Sequence, residues 1–524
     1  MTQTKKDIVI MSCPIMEPIP PMAPVLLSAC LKEAGFSSIG KDLNIDFFNH
    51  FKDSGHWGDI HNLFAIGHVT KISLPRRVII DILKFIKQYL LEVKKQYDPE
   101  YIGLSIFTSE SVDFSILVMS YIKKYLPEVK IVLGGRGLEN HHGLTDMKHY
   151  EMYDKFGMAD LIVVGDAETS LIDALTDDAT GIYMSKQQTK EDLDRIPSPY
   201  WDDYDLATYN TAISSVNDNL RYMGITASKG CVRKCTFCDV ANFWPKYIFR
   251  EGTNVARDII HSYKSTGITN FFFTDNLMNG SVTNFRRMNE MLAREIPREI
   301  EYQGYAIFRQ QKHHPKEDFE LAARAGSKRW IIGVESGSEK IRNEMRKKFS
   351  NEDIMYTANE LFRNDIVQSW LFIVGYPSET EEDFKQTLEL LKQSKHLGKN
   401  GMLRINVTPP YMHIPTNNIN TDPDLRTYYG LTDLDYNDPL TVHFWKSELY
   451  PDNDFLARVD RWRRLIQTSL DLGLTWHDER LISKWKNEID GLERVYLEKY
   501  KGKDYITPYE TKVINIHQVY PQDG

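Results

Sequence analysis

The chain has 524 residues, 42% hydrophobic and 26% charged, enough for about three domains and too apolar for a disordered polymer. Its formal charge of −9 lacks the basic footprint that sequence-blind nucleic-acid binding requires, and five cysteines make no disulfide framework. No apolar run approaches the ~18 residues of a membrane span and the N-terminus has no signal-peptide core, so the expected location is the cytoplasm, where thiols stay reduced.

In chain order, the first expected strand is Asp7–Cys13, stopped at Pro14. Prolines 18, 20 and 21 mark a loop, and Pro24 suits the first turn of a helix, Val25–Ala34, closed by Gly35. Strands follow at Ser38–Leu43, Tyr101–Phe107, Val129–Leu133 and Asp160–Val164, with helices at Val112–Leu126 and from Glu168 to Leu175. Residues 71–95 read as a basic covering helix with Leu83, Phe85, Ile86, Tyr89 and Leu90 on its apolar side. Strands alternating with helices predict a doubly wound parallel sheet over residues 1–184, with a ligand beyond the carboxyl ends of its strands. Ser105, Gly134, Gly135 and Gly165 stand at those ends, where glycine lets a bulky ligand approach the backbone. Gly134-Gly135 also reads as a plain turn.

With its proline-led first helix, Asp42-Leu-Asn44 after the second strand and Gly165-Asp-Ala-Glu168, this segment resembles the Rossmann-like cobalamin-binding domain that precedes many radical S-adenosylmethionine enzymes. The resemblance implies that the four strand-end residues contact cobalamin. The loop from Ser12 to Pro24 contains no histidine, so cobalamin bound here would be covered on its lower face without histidine ligation. The alternative is a domain that kept the fold and lost the cofactor. Residues 185–215, charged and carrying Pro197 and Pro199, are the expected linker.

After the predicted strand Arg221–Ser228 comes Lys229-Gly230-Cys231-Val-Arg-Lys-Cys235-Thr-Phe-Cys238. Three thiols on one buried helix face would be the bland reading, but Gly230, Arg233 and Lys234 break such a face. A structural zinc needs a fourth ligand, and none is local. Three cysteines on an iron–sulfur cubane leave one iron open, as catalysis requires. This spacing is similar to the signature of the radical S-adenosylmethionine superfamily. The resemblance implies that Cys231, Cys235 and Cys238 hold a 4Fe–4S cluster whose open iron binds S-adenosylmethionine, and that one electron then yields a 5′-deoxyadenosyl radical. It also implies an external low-potential electron donor such as flavodoxin or ferredoxin.

Further strands are expected at Asn270–Thr274, Ile300–Ala306, Arg329–Val334, Gln368–Val374 and Met402–Val407, separated by helical patterns. With the first strand they make a partial (β/α)6 TIM-type barrel over residues 216–423, with its site at the strands' carboxyl ends. There the family resemblance maps Asp275 and Asn276 onto the methionyl amine, Glu335 and Ser336 onto ribose and carboxylate, and Gly375 onto adenine, with Arg309 as a further cofactor contact. Tyr247 and Arg250, just past the cysteines, read as loop packing. Residues 424–524 form the expected helical accessory region, with amphipathic helices at Phe455–Leu472 and Glu479–Tyr500.

The resulting expectation is a cobalamin-dependent methyl transfer to an unactivated carbon of a small-molecule or peptide substrate, with no protein nucleophile, no membrane and no broad nucleic-acid binding. A cyclase or oxidoreductase on the same two domains is one alternative. A non-catalytic iron–sulfur or cobalamin sensor is another. Methylthiotransferases need three N-terminal cysteines, and only Cys13 and Cys30 are present there.

Overall fold

The structure is a computed structural model describing residues 5–15, 20–58, 60, 75–139, 147–209, 222–413, 416–433, 440–476 and 479–501. The chain divides into two compact units, one built on residues 1–223 and one on residues 224–506.

The first unit is a six-stranded sheet in the order β2-β1-β3-β4-β5-β6, parallel at every pairing. Its strands are β1 (Ile8–Ser12), β2 (Ser38–Asp42), β3 (Tyr101–Ser105), β4 (Lys130–Gly134), β5 (Leu161–Val164) and β6 (Gly181–Met184). Strand alternation explains why both faces are covered. Ile8 and Ile10 pack with Leu31, Val132 and Leu171, whereas Val9 and Met11 join Phe47, Ile82 and Ile102 on the other side. The helix Arg76–Tyr97 buries Val78, Ile82, Ile86, Leu90, Val93 and Tyr97, one stripe at helical spacing. The first helix runs Met22–Glu33, so Pro24 lies within its opening turn, where its missing N–H costs nothing. The edge strand β6 was not expected, because its alternate residues are half-exposed.

Residues 185–209 of the expected linker are part of this unit, and 210–215 lie outside the described residues. Residues 200–209 strap the edge strand β2. The Asp203 carboxylate accepts from Gly40 N at 2.9 Å and from Lys32 Nζ at 2.8 Å, capping an edge amide that would otherwise be open. Tyr204 lies so close that a Cβ at Gly40 would sit 2.1 Å from its hydroxyl.

The second unit carries a seven-stranded sheet in the order β15-β14-β13-β12-β11-β10-β7. Its strands are β7 (Tyr222–Ile225), β10 (Asn270–Phe273), β11 (Glu301–Ala306), β12 (Ser327–Glu335), β13 (Val367–Phe372), β14 (Leu403–Val407) and β15 (Thr475–Trp476). Six of these match the expected barrel strands, and β15 adds a two-residue seventh from the C-terminal region. Residues 424–501 belong to this unit. One boundary differs from expectation. The first barrel strand ends at Ile225, and Ser228–Lys229 (β8) pairs antiparallel with Ile248–Phe249 (β9), so the cysteine segment is the loop of a hairpin.

Candidate active site

The hairpin loop is shaped at its base by Gly230. Its φ is +76°, and a Cβ there would lie 2.6 Å from Lys246 O, so only glycine fits. Asp275, just past β10, accepts hydrogen bonds from Ala227 N at 3.0 Å and from Ser228 N, fixing the turn into β8. Burial raises its pKa to about 6, against the opposing pull of those donors. Asp275 is therefore committed to backbone rather than open to a ligand, while Asn276 beside it is half-exposed. Arg250 packs as expected, ion-paired with Asp258 at 2.5 Å and buried.

Within the loop, backbone donors face two sulfurs: Arg233 N lies 3.4 Å from Cys231 Sγ and Val240 N 3.5 Å from Cys238 Sγ. Burial pushes the Cys235 thiol up to about 12 and raises that of Cys238. Bare thiolates are thus disfavoured, and the sulfurs suit a cation that offsets that cost.

The charge that opposes this burial comes from a residue the sequence reading missed. Lys347 Nζ lies 2.7 Å from Glu335 Oε1, both side chains under a tenth exposed, and its field acts on Cys235, Cys238 and Cys231. Burial works to lower the ammonium's pKa, and Glu335 with the cysteines more than offsets it. The backbone is bent to make this pair. Glu335 has φ +66° at a register shift against β13, and Arg346 and Lys348 flank Lys347 at +62° and +58°. Such conformations cost roughly 1–2 kcal/mol each for residues other than glycine and collect at functional sites. Gly333 leaves the space, since a Cβ there would meet Glu335 Oε1 at 2.1 Å and Lys347 Nζ at 2.8 Å. In sequence, Arg346-Lys347-Lys348 reads only as a solvated charge run.

Arg309 is brought to the same end of the barrel. It donates to Asn279 O at 2.9 Å and Gly280 O at 2.6 Å, and it feels the charges of Arg233 and Cys231. Ser336 is fully buried, its hydroxyl 3.3 Å from Thr387 Oγ1 and accepting from Ser338 N. Gly375 has φ +83° and donates to Glu379 Oε2 at 2.8 Å, and the place of a Cβ is filled by the stem of Arg458. Nothing in the sequence pattern singles out Arg458, which arrives from the helix Phe455–Asp471.

In the first unit, the glycines at the strand ends serve mostly the chain itself. A Cβ at Gly135 would lie 2.3 Å from Ile106 O, and one at Gly165 3.1 Å from Ser185 Cβ. Gly134 is freer, with nothing nearer than Val163 O at 3.8 Å, and it stays half-exposed with Ser105. Phe107, two residues beyond Ser105, is 66% exposed at the point where strand order reverses between β1 and β3. Asp42, at the end of β2, is a buried hub accepting from Ser12 Oγ, Tyr209 OH and Asn44 N.

The model of the radical SAM superfamily matches residues 225–391, from the last residue of β7 to the helix after β13. Over 183 residues the chain is 30% identical to the tRNA-2-methylthio-N(6)-dimethylallyladenosine synthase of Clostridium beijerinckii, covering 33% of this chain and 39% of that one. It therefore spans about two fifths of the length of the curated relatives it matches. The solved structure of TsrM, a radical S-adenosylmethionine methyltransferase from Kitasatospora setae with cobalamin and a 4Fe–4S cluster bound, superposes with a TM-score of 0.58. That match has 14% identity and covers 83% of this chain and 78% of TsrM. The cobalamin-dependent radical enzyme OxsB, with aqua-cobalamin and S-adenosylmethionine, matches at a TM-score of 0.55 and 14% identity, covering 95% of this chain and 67% of OxsB.

Residues 225–391, which carry the cysteine loop and strands β10 to β13, thus form a radical SAM domain, the kind of domain that uses a 4Fe–4S cluster and S-adenosylmethionine. The two-unit fold is shared with the solved structures of TsrM and OxsB.

Proposed function

We propose that this chain transfers a methyl group to an unactivated carbon of a small-molecule or peptide substrate, using a 4Fe–4S cluster, S-adenosylmethionine and cobalamin. The observation that carries the reading is the convergence on one hairpin loop of three thiols, two sulfur-directed N–H groups and the buried Lys347–Glu335 pair. Cys231, Cys235 and Cys238 would hold the cluster, which when bound supplies the one-electron cleavage of S-adenosylmethionine to a 5′-deoxyadenosyl radical. Lys347 and Arg309 place positive charge where an anionic cluster and the methionyl carboxylate would sit. Asp275 holds the loop's base, and Gly375 presents its strand-end backbone. The open Gly134 and Ser105 and the exposed Phe107 suit a flat ligand on the first unit, one covered from below without a histidine ligand. The low-potential electron comes from an external flavodoxin- or ferredoxin-type donor.

Methyl transfer is favoured over cyclisation by the likeness to TsrM, a methyltransferase by its own description. The curated relatives favour methylthiolation, but their likeness is confined to 33% of this chain. Anaerobic reconstitution with iron, sulfide and hydroxocobalamin tests the reading. About four irons per chain, a corrinoid spectrum that survives desalting, and 5′-deoxyadenosine with S-adenosylhomocysteine on turnover support it. Zinc without acid-labile sulfide overturns the cluster, and 5′-deoxyadenosine formed from S-adenosylmethionine in the presence of a true substrate, without S-adenosylhomocysteine, overturns methyl transfer. Cys235→Ala should lose both products.

A further inference from the structure

The cysteine loop is tied to the loop after β13 and to the C-terminal region by one buried hydroxyl chain. Thr236 stands between the second and third cysteines, and its Oγ1 lies 2.7 Å from Tyr376 OH. Tyr376 follows Gly375, and its hydroxyl lies in turn 2.6 Å from Tyr429 OH. All three residues are at most 1% exposed. The same loop is grasped through its carbonyls from residues far along the chain. Asn418 Nδ2 donates to Cys235 O at 2.9 Å and Ile419 N to Thr236 O at 2.9 Å, with Asn418 N 3.4 Å from Cys238 O. The loop after β13 is grasped likewise, by Asn453 Nδ2 donating to Tyr376 O at 2.8 Å and Pro377 O at 3.1 Å.

A phenylalanine at 376 would fill the same space against Tyr411 and Tyr429. The hydroxyl adds a desolvation cost that is recovered only when both of its neighbours bond to it. Its position is therefore informative: it links the loop that carries the thiols to the loop that presents Gly375 by a buried side-chain hydrogen bond. We infer that Tyr376 is a positioning residue, holding the cysteine loop in fixed register with the strand-end backbone after β13, so that a cluster on the one and S-adenosylmethionine on the other meet in a single geometry. This rests on the cluster assignment proposed above. It acts through Thr236 and not by contact with a reacting atom.

The test uses the full chain reconstituted with iron and sulfide, as wild type, Tyr376→Phe and Tyr429→Phe. Iron and sulfide content, the electron paramagnetic resonance spectrum of the reduced cluster with and without S-adenosylmethionine, and equilibrium binding of S-adenosylmethionine are measured. Both variants should keep the wild-type iron content. Tyr376→Phe, which cuts both links, should alter the spectral change induced by S-adenosylmethionine and weaken its binding about three- to tenfold, the worth of one neutral hydrogen bond. Tyr429→Phe, which cuts only the outer link, should fall between. Spectra and binding of Tyr376→Phe identical to wild type overturn the inference and leave the cluster assignment standing. A wild type without iron and sulfide overturns the assignment itself, and the inference with it. Should Tyr376→Phe fail to fold, Thr236→Val cuts the inner link from the other side, and wild-type behaviour there overturns the inference equally.

Discussion

Lys347 and Glu335 meet at 2.7 Å beneath the cysteine loop, each on backbone that had to turn left-handed at or beside it. Neither charge has water enough to stand alone, so the pair is stable only as a pair. Lys347→Met should leave Glu335 buried and uncompensated and cost about 3–5 kcal/mol of unfolding free energy. The double variant Lys347→Met, Glu335→Gln should recover much of that loss. Chemical denaturation of the four proteins in the cycle measures the coupling, and additive single losses would contradict it.

Gly230 carries both a positive φ and a backbone neighbour at 2.6 Å from the site of a Cβ. Gly230→Ala should destabilise the second unit by about 2 kcal/mol or more and reduce iron uptake, because the hairpin base must open to admit the methyl group. The readouts are melting temperature and iron per chain. Gly157→Ala, at a positive φ with open space, should lose stability but keep full iron content.

Glu379 gives the molecule a pH dependence of defined sign. Burial raises its pKa to about 7 from an ordinary value of 4.5, although Arg461 pulls it down. Between those values the native state binds more protons than the unfolded chain, so stability should fall as pH rises from about 5 to above 7. Asp275, raised to about 6, adds a slope of the same sign at lower pH. Melting temperatures at pH 6 and pH 8 should show the decline, and Glu379→Gln should flatten its upper part. An unchanged slope in that variant would locate the titration elsewhere.

Asp203 caps the edge of the first sheet through Gly40 N and Lys32. Asp203→Ala should release the strap, costing roughly 1–3 kcal/mol for the unsatisfied amide and the lost charged hydrogen bond. Limited proteolysis should then cut within residues 195–209 faster than in wild type, with iron content unaffected.

The central strands of the first sheet were the most legible, because they are buried on both faces and read as short, continuous apolar runs: Ile8–Met11 and Leu161–Val164 are examples. The edge pieces β6 and β15 were not, since a half-exposed or two-residue strand leaves no such run. The three cysteines were legible by spacing alone. The protein partners of Ser336 and Asp275 were not legible, because which way a polar side chain turns depends on neighbours such as Thr387 and Ala227, distant in the chain.

What the sequence determined by itself was the kind of chemistry: local spacing sets which thiols share a loop, and local periodicity sets which segments are strands. Which residues stand around those thiols was decided only by tertiary structure. Lys347, Tyr376 and Asn418 come from three separate segments, and their effect rests on distances of a few ångströms in a dry interior, where an unpaired charge or hydroxyl is costly. No local pattern encodes that meeting, because it depends on how strands far apart in the chain are registered side by side.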